Sequence, residues 1–495
     1  MNDGEAGTIP LDSAEGRRVI GTTVAGSAVA MLTATVVNVA LPSLASDLDA
    51  TSGQQQWVIN AYLLTLASLI LVGGSLGDRY GRIRMYRLGV VWFAIASLAC
   101  ALAPTIEALI VARLVQGIGG ALLTPGSLAI IESTLAPDDR GRGVGQWSGL
   151  SGIAAAIGPL VGGLVVDASW RWVFLLNLPI AAAVVVTSAG LPESTDPQAQ
   201  DTELDVAGAL LATAFLGFLS FALIQGPPGG WSVVDVGSAL VAAGALVLLI
   251  VVERRRAHPM VPFELFANRP FAVANLITLL VYGGMGVVFF LLTIQLQVAG
   301  GWSALAAGAA LLPVTVLLLL LSSRAGEVAQ RIGPRWPLTL GPLGIAAGML
   351  LFTRIGTDTS YFTDVLPGVV VFGLGLSASV APVTATALGS VPESRSGSAS
   401  GTNNAVARSG QLVTVAAIPP LVGLTGDALG DPRLLDAGFP TAMMVGAALV
   451  ALGALSAALL LRSADLEGDT EATHHRHCPV DGPHPSPAVA GRGHR

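Results

Sequence analysis

Long apolar runs separated by short polar turns dominate the chain. Fourteen runs of roughly 17 to 28 residues fall at 19–44, 57–76, 88–104, 108–135, 144–166, 172–191, 206–225, 233–252, 271–298, 305–322, 337–353, 365–388, 405–424 and 441–461. Each is long enough to cross a hydrocarbon core of about 30 Å as a helix. The pattern predicts an all-α polytopic membrane protein.

Composition strengthens that reading: 53% of the residues are hydrophobic, 12% are charged, and the mean hydropathy is +0.70, values foreign to a water-soluble surface. A nucleic-acid binder, a secreted disulfide scaffold and a soluble enzyme are thereby excluded. Cys100 and Cys478 occupy an apolar run and a polar tail, so they suggest no framework bridge. All 25 basic residues are arginine. Without lysine there is neither a Walker A phosphate loop nor a Schiff base, so ATP hydrolysed by this chain cannot drive transport. The net charge of −7 resides mostly in loops and says little about partners. The first run follows Arg17 and Arg18, lacks a small-residue cleavage site and is read as a retained helix.

Arginine placement sets the expected orientation. With the N-terminus cytoplasmic, twenty arginines fall in inside segments, three outside (Arg171, Arg354, Arg433) and two within spans (Arg113, Arg408); this bias favours both termini inside and an even span count. The acidic stretch from Pro192 to Asp205 is assigned to the inside although it carries Glu193, Asp196, Asp201, Glu203 and Asp205, because acids count for little in orientation. The chain also repeats itself. Gly73–Arg82 aligns with Ala325–Arg335 so that Gly74, Arg79 and Gly81 match Gly326, Arg331 and Gly333 at an offset of 252, and Pro137 and Arg140 match Pro392 and Arg395 at an offset of 255. Repeated halves around a midplane site are a common plan of secondary transporters; coincidence between short Arg/Gly turns is the competing reading.

After the second span comes GSLGDRYGR, with Gly74, Asp78, Arg79, Gly81 and Arg82. Glycine supplies constrained turn positions, and an Asp with neighbouring arginines can lock helix ends in one state of a two-state bundle; a solvated positive loop is the bland alternative. With this loop, the strings TVVNVALP (Thr35–Pro42), WVINAYLL (Trp57–Leu64), RLVQGIGGA (Arg113–Ala121), GPLVGG (Gly158–Gly163), WRWVFLLNLP (Trp170–Pro179) and LQVAGGWSALAAGAALLP (Leu296–Pro313) make the chain resemble the major facilitator superfamily, specifically its fourteen-span drug:proton antiporters. The resemblance covers nearly everything between the two tails. It implies a major facilitator fold, two six-helix halves plus two extra spans, and proton-driven efflux of drugs or antibiotics across the bacterial plasma membrane.

Expected organisation follows: a cytoplasmic tail over 1–18, a first half over 19–191, a linker with two extra spans over 192–252, a cytoplasmic loop over 253–270, a second half over 271–461 and a disordered cytoplasmic tail over 462–495. Arg113 lies inside the fourth span, where a charge either snorkels to the interface or faces the bundle interior. The resemblance implies the latter and a part in proton exchange; Gln116, one turn on, is placed to share its hydrogen bonds. Gly158, Pro159, Gly162 and Gly163 permit a close but bendable helix seam; packing alone explains them, while the resemblance makes GPLVGG the exporters' antiporter motif. Asn38, Asn60, Gln295, Asn403 and Asn404 are polar groups at membrane depth that bind substrate or join helices, with Asn38 and Gln295 ranked first because they fall in or beside family strings. Trp170, Arg171 and Trp172, at an expected outer boundary, read as an interfacial aromatic belt rather than a substrate contact.

One departure from the family stands out. Two residues before Thr35 the family commonly carries an intramembrane aspartate; here it is Thr33. Thr33 and Gln116 complete the substrate-contact candidates with Asn38 and Gln295, and the missing acid tilts the expected cargo toward neutral, zwitterionic or anionic compounds. Glu132 becomes the candidate titrating group, against a plain interfacial acid. His474, His475, His477 and Cys478 have a metal-binding composition but sit in a tail where such clusters are usually inert, so no metal or other cofactor is expected. The alternatives are a proton-coupled importer or facilitator of a small metabolite, against which the span count and GPLVGG speak, and a membrane receptor, against which the short tails speak. Expected partners are protons, a small molecule and the bilayer, with no nucleic acid.

Overall fold

A computed structural model of the protein describes residues 9–196, 204–256, 259–392 and 395–461. The His/Cys tract and the acids Asp201 and Glu203 lie outside the described residues. The first lobe contains α1 (Ala14–Asp47), α2 (Ser52–Tyr80), α3 (Arg82–Ala101), α4 (Ile106–Thr134), α5 (Pro137–Val166) and a broken segment of α6 (Trp172–Leu175) and α7 (Asn177–Ser188). Then come α8 (Val206–Gly229) and α9 (Val233–Arg255). The second lobe contains α10 (Arg269–Ile294), a broken segment of α11 (Ala304–Ala309) and α12 (Leu312–Ile332), α13 (Arg335–Phe352), α14 (Leu366–Gly389), α15 (Ser396–Leu421) and α16 (Pro432–Leu460). Taking each broken segment as one gives fourteen helical segments among the described residues, of which eleven are individually long and apolar enough to cross a membrane. The remaining three are 172–188, which is short, and α13 and α15, whose proline, glycine and polar residues dilute their apolar character.

Helix ends extend beyond the apolar runs where the sequence supplies a cap. Ser13 accepts a hydrogen bond from the Gly16 amide at 2.9 Å and starts α1 five residues before its apolar run. Pro137, in the first turn of α5, starts that helix seven residues early. Both added turns are polar, so hydropathy does not reveal them. The repeat is visible in the backbone: Gly81 and Gly333 end α2 and α12 with φ of 107° and 82°, conformations that suit glycine.

Within the first lobe α4 packs on α2 and α3, while α1 packs on α5 and α7; in the second, α13 packs on α14 and α16, and α10 on α15 and α16. The lobes meet where α2 packs on α15 and α5 on α11 and α12. Under the repeat α2 corresponds to α12 and α5 to α15, so these interfaces exchange with one another, as two-fold related halves require. Of the two intervening helices, α8 packs on both α2 and α15 and thus lies across the junction.

Candidate functional site

A cavity of about 610 Å³ lies between the lobes. The first lobe supplies α1 residues Ala30, Met31 and Ala34, α2 from Tyr62 to Asp78, and α4 from Leu122 to Glu132; the second supplies α15 from Gly397 to Arg408. One end is bounded by Asp78, Arg82, Glu132, Asp196, Pro259 and Met260, the arginine-rich end of the bundle. At the other end the lobes are joined. Thr293 donates to the Asn38 carbonyl at 3.4 Å, Gln297 to the Val39 carbonyl at 3.1 Å, and Gln56 to the Val415 carbonyl at 3.1 Å. The Ser52 amide donates to the Gly426 carbonyl at 2.6 Å, and the Leu429 amide to Ser52 Oγ at 3.0 Å.

The GPLVGG segment contributes to that seal. A Cβ at Gly163 would lie 2.5 Å from Leu305 Cα, and one at Gly308 would lie 2.3 Å from the Pro159 carbonyl oxygen, so α5 and α11 touch backbone to backbone across the lobes. Gly158 and Gly162 face inward instead: Cβ atoms there would meet Thr35 Oγ1 at 2.3 Å and Val36 Cγ1 at 2.6 Å, both on α1 of the same lobe. One motif therefore binds α5 to its own lobe with two glycines and to the opposite lobe with a third and Pro159.

Arg113 is 1% exposed and deep in the first lobe. Its Nε donates to the Val58 carbonyl at 2.9 Å, its Nη1 donates to Gln116 Oε1 at 2.5 Å, and its Cζ stands 4.4 Å from the centre of the Tyr62 ring. A desolvated cation over an aromatic face contributes about 2 kcal/mol, and the charge-assisted bonds offset part of the cost of burial. No carboxylate among the described residues forms an ion pair with it. The polar chain continues: Gln116 Nε2 donates to Ser97 Oγ at 2.7 Å, Asn177 Nδ2 donates to the same oxygen at 3.2 Å, and Thr33 Oγ1 donates to Asn177 Oδ1 at 3.1 Å. This network joins α4, α3, α7 and α1. Sequence reasoning did not find Ser97 or Asn177, because a lone Ser or Asn in a span carries no sign of its facing.

Thr33 and Gln116 are therefore members of a buried network and not of the cavity wall, where the sequence reading of substrate contact would put them. Arg113 is nine residues beyond Leu122, the deepest α4 residue on the wall, or about 13 Å along the helix. Tyr62, which lines the cavity and carries Arg113 on its ring, connects the two. Asn38 and Gln295 also lie off the wall. Asn38 belongs to the lobe seam, and Gln295 donates to Asp436 Oδ1 at 2.8 Å within the second lobe, from a π-helical turn (Gln295–Ala299) ending α10. Asp436 escaped the sequence reading because it precedes the apolar run of α16. Arg408 went unassigned as well: it lines the cavity from α15 and its nearest polar side-chain partner is Gln411 Oε1, at 3.4 Å.

At the arginine-rich end, Asp78 accepts from Arg82 Nε at 2.9 Å and Nη2 at 2.8 Å, while Arg79 lies against the Tyr80 ring. Gly74 faces Pro125 of α4. The acidic linker docks on this turn: Glu193 accepts from the Ile83 and Arg84 amides at 2.9 and 3.0 Å, the Arg82 amide donates to the Ser194 carbonyl at 3.0 Å, and the Asp196 amide donates to the Asp78 carbonyl at 2.9 Å. Glu193 thus places its carboxylate at the positive N-terminus of α3. A Cβ at Gly81 would lie 2.7 Å from its carboxyl carbon, which, with the φ of 107°, leaves room only for glycine. Of the acids in the 192–205 stretch, Glu193 has this structural use. Glu132 is exposed on the cavity wall beside this cluster.

Two pseudo-symmetric helical lobes around a cavity sealed at one end define the class of membrane transporters built on repeated halves. Residues 23–415 match the Major Facilitator Superfamily model, and the chain belongs to that superfamily. It is 36% identical over 408 residues to the methylenomycin A resistance protein of Streptomyces coelicolor, covering 81% of this chain and 85% of that one. It is 32% identical to the tetracenomycin C resistance and export protein of Streptomyces glaucescens, with 81% and 75% covered. It is 34% identical to the uncharacterized MFS-type transporter EfpA of Mycobacterium tuberculosis, with 73% and 68% covered. Among solved structures, a D-xylose–proton symporter superposes with a TM-score of 0.65 at 16% identity, over 90% of this chain and 98% of that one; at such identity the likeness concerns the fold.

Proposed function

We propose that the protein exports amphipathic organic compounds, natural-product antibiotics among them, in exchange for protons across the bacterial plasma membrane. The observation that carries this reading is the cavity between the lobes, open toward the arginine-rich end and sealed at the other by backbone contacts through the GPLVGG helix. With arginine-rich segments cytoplasmic and both termini inside, the cavity faces the cell interior, where an exporter loads. The resistance and export relatives support the direction of transport.

The wall suits such cargo. Met31, Leu66, Ile70, Met85, Leu122 and Trp147 offer apolar and polarizable surface. Asp78, Glu132 and Asp196 sit at the mouth, and the charge farther in is Arg408. That arrangement favours neutral, zwitterionic or anionic compounds. In this reading Arg113 and Glu132 handle the proton, and Gly74, Asp78, Arg79, Gly81 and Arg82 form the gate that locks helix ends at the mouth. Lobe boundaries at 19–191 and 271–461, with 192–252 and 253–270 between them, serve the same scheme of rocking halves.

The drive is sufficient. One proton entering across about 100 mV releases about 2.3 kcal/mol, and each pH unit adds about 1.4 kcal/mol, so roughly 3.7 kcal/mol sustains a gradient on the order of 500-fold for a neutral solute. The test is substrate-triggered proton release from acid-loaded everted vesicles, screened over compound classes. Release with antibiotics and none from vesicles carrying Arg113→Ala supports the proposal; release with no compound overturns it.

A further inference from the structure

The two helices between the lobes carry a carboxyl pair that the transport reading does not use. Asp205 caps α8, its Oδ1 accepting from the Gly208 amide at 2.8 Å, and Glu253 lies in the last turn of α9. They are 6% and 2% exposed. A Cβ built on Gly208 would lie 2.4 Å from Glu253 Oε1 and 2.7 Å from Asp205 Oδ2, so these two oxygens converge on one point. Glycine at 208 is what lets them approach.

Their hydrogen bonding is one donor short. Asp205 Oδ1 faces Arg256 Nη1 at 3.2 Å, Asp205 Oδ2 accepts from the Met260 amide at 3.4 Å, and Glu253 Oε2 accepts from the Val261 amide at 3.1 Å. Glu253 Oε1, buried and turned toward Asp205, has no donor among the described residues. A buried acceptor left without a partner costs about 1 to 3 kcal/mol, more when charged. Two ionised carboxylates are acceptors only, so neither can satisfy the other. Arg256 is a single counter-charge for both; Arg254 and Arg255 are exposed, and α2 and α15, which pack on α8, bring no charge to Glu253 among the described residues. One proton supplies both the missing donor and the missing charge. A metal ion suits the site less well, because Arg256 already occupies the Asp205 side and no group of three metal-binding side chains exists among the described residues.

We propose that Glu253 holds a proton directed from its Oε1 toward Asp205, and that this proton holds segment 259–261 in place at the mouth of the cavity. The mechanical link is short: the Met260 and Val261 amides are bound by the two carboxylates, one each, while Pro259 and Met260 line the cavity. Loss of the proton leaves two facing anions that repel, and each carries an amide of the mouth segment with it. The extra hairpin, which lies across both lobes through α8, then senses pH at the loading side.

The test uses the full chain purified in lipid, and needs no transport assay, so its outcome is independent of whether the protein exports drugs. Infrared difference spectra across a pH titration report the carboxylic-acid carbonyl stretch. The wild type is expected to show, besides any contribution from Glu132, a band that disappears at alkaline pH and is lost in Glu253→Gln, whose amide supplies the missing donor and preserves the shape. The band's persistence in Glu253→Gln, or its loss on adding sodium at constant pH, would overturn the proposal. A second measurement follows the mouth: Met260→Cys in a Cys478→Ser background is labelled with maleimide, alone and together with Glu253→Gln. The ratio of the two labelling rates should widen as pH rises. A ratio independent of pH would also overturn it.

Discussion

Gly163→Ala places one methyl group where α5 and α11 touch. The new Cβ would lie 2.5 Å from Leu305 Cα, 2.8 Å from the Leu305 amide nitrogen and 2.9 Å from the Ala304 carbonyl oxygen. All three are backbone atoms, so no side-chain rotation relieves the overlap, and overpacking of this kind costs about 1 to 3 kcal/mol. The cost falls only on the state in which this end of the lobe seam is closed; separating the lobes removes it. The equilibrium should therefore move toward the opposite state by roughly 5- to 150-fold. A cysteine at Ala304, 7% exposed in the closed state, reports the shift through its maleimide labelling rate in a Cys478→Ser background, since Cys100 is buried. Gly308→Ala, which meets the Pro159 carbonyl oxygen at 2.3 Å, should accelerate labelling in the same way. Gly162→Ala is the control: its overlap with Val36 lies within one lobe, so it should lower thermal stability without accelerating labelling. Equal labelling in Gly163→Ala and its parent would refute the inference that these lobes part at this seam.

Four further outcomes follow from the geometry. Arg113→Ala should abolish proton-driven export while inserting normally, and Arg113→Lys should not restore it, because an ammonium cannot replace a planar group that bonds Val58 and Gln116 at once; full transport in either variant would remove Arg113 from the coupling. Thr33→Asp puts a carboxylate into the network with Asn177 and not on the cavity wall, so the pH profile of efflux should change while ethidium export stays absent; new ethidium export at an unchanged profile would contradict this. Glu193→Ala removes two amide caps from α3 and should cost about 1 to 2 kcal/mol, read as a lower Tm that Glu193→Gln only partly recovers. Arg408→Ala should weaken resistance to anionic compounds more than to neutral ones; equal losses would show that its charge does not select cargo.

Fold and site differ in how far the sequence discloses them. The number of helical segments follows from apolar length, and the two halves follow from repeated Arg/Gly turns whose glycines, Gly81 and Gly333, share a backbone conformation. Helix starts do not follow, because the first turns of α1 and α5 are polar and lie outside the apolar runs. Facing is the larger loss. In a lipid-embedded helix the side toward lipid and the side toward neighbours are both apolar, so the sequence does not separate Thr33 and Gln116 in a buried network from Arg408 on the cavity wall. Pairings distant in the chain are equally hidden: Glu193 on α3, Gln295 with Asp436, and Asp205 with Glu253 become apparent only when the helices are brought together.

The most direct measurement is solute movement by the purified chain in liposomes under an imposed pH gradient, with internal pH and labelled antibiotic recorded together. The account predicts that antibiotic moves against its own gradient only while protons run the other way, and that both fluxes vanish in Arg113→Ala. Antibiotic flux that persists after the pH gradient and membrane potential are collapsed, or proton flux indifferent to the antibiotic, would contradict it.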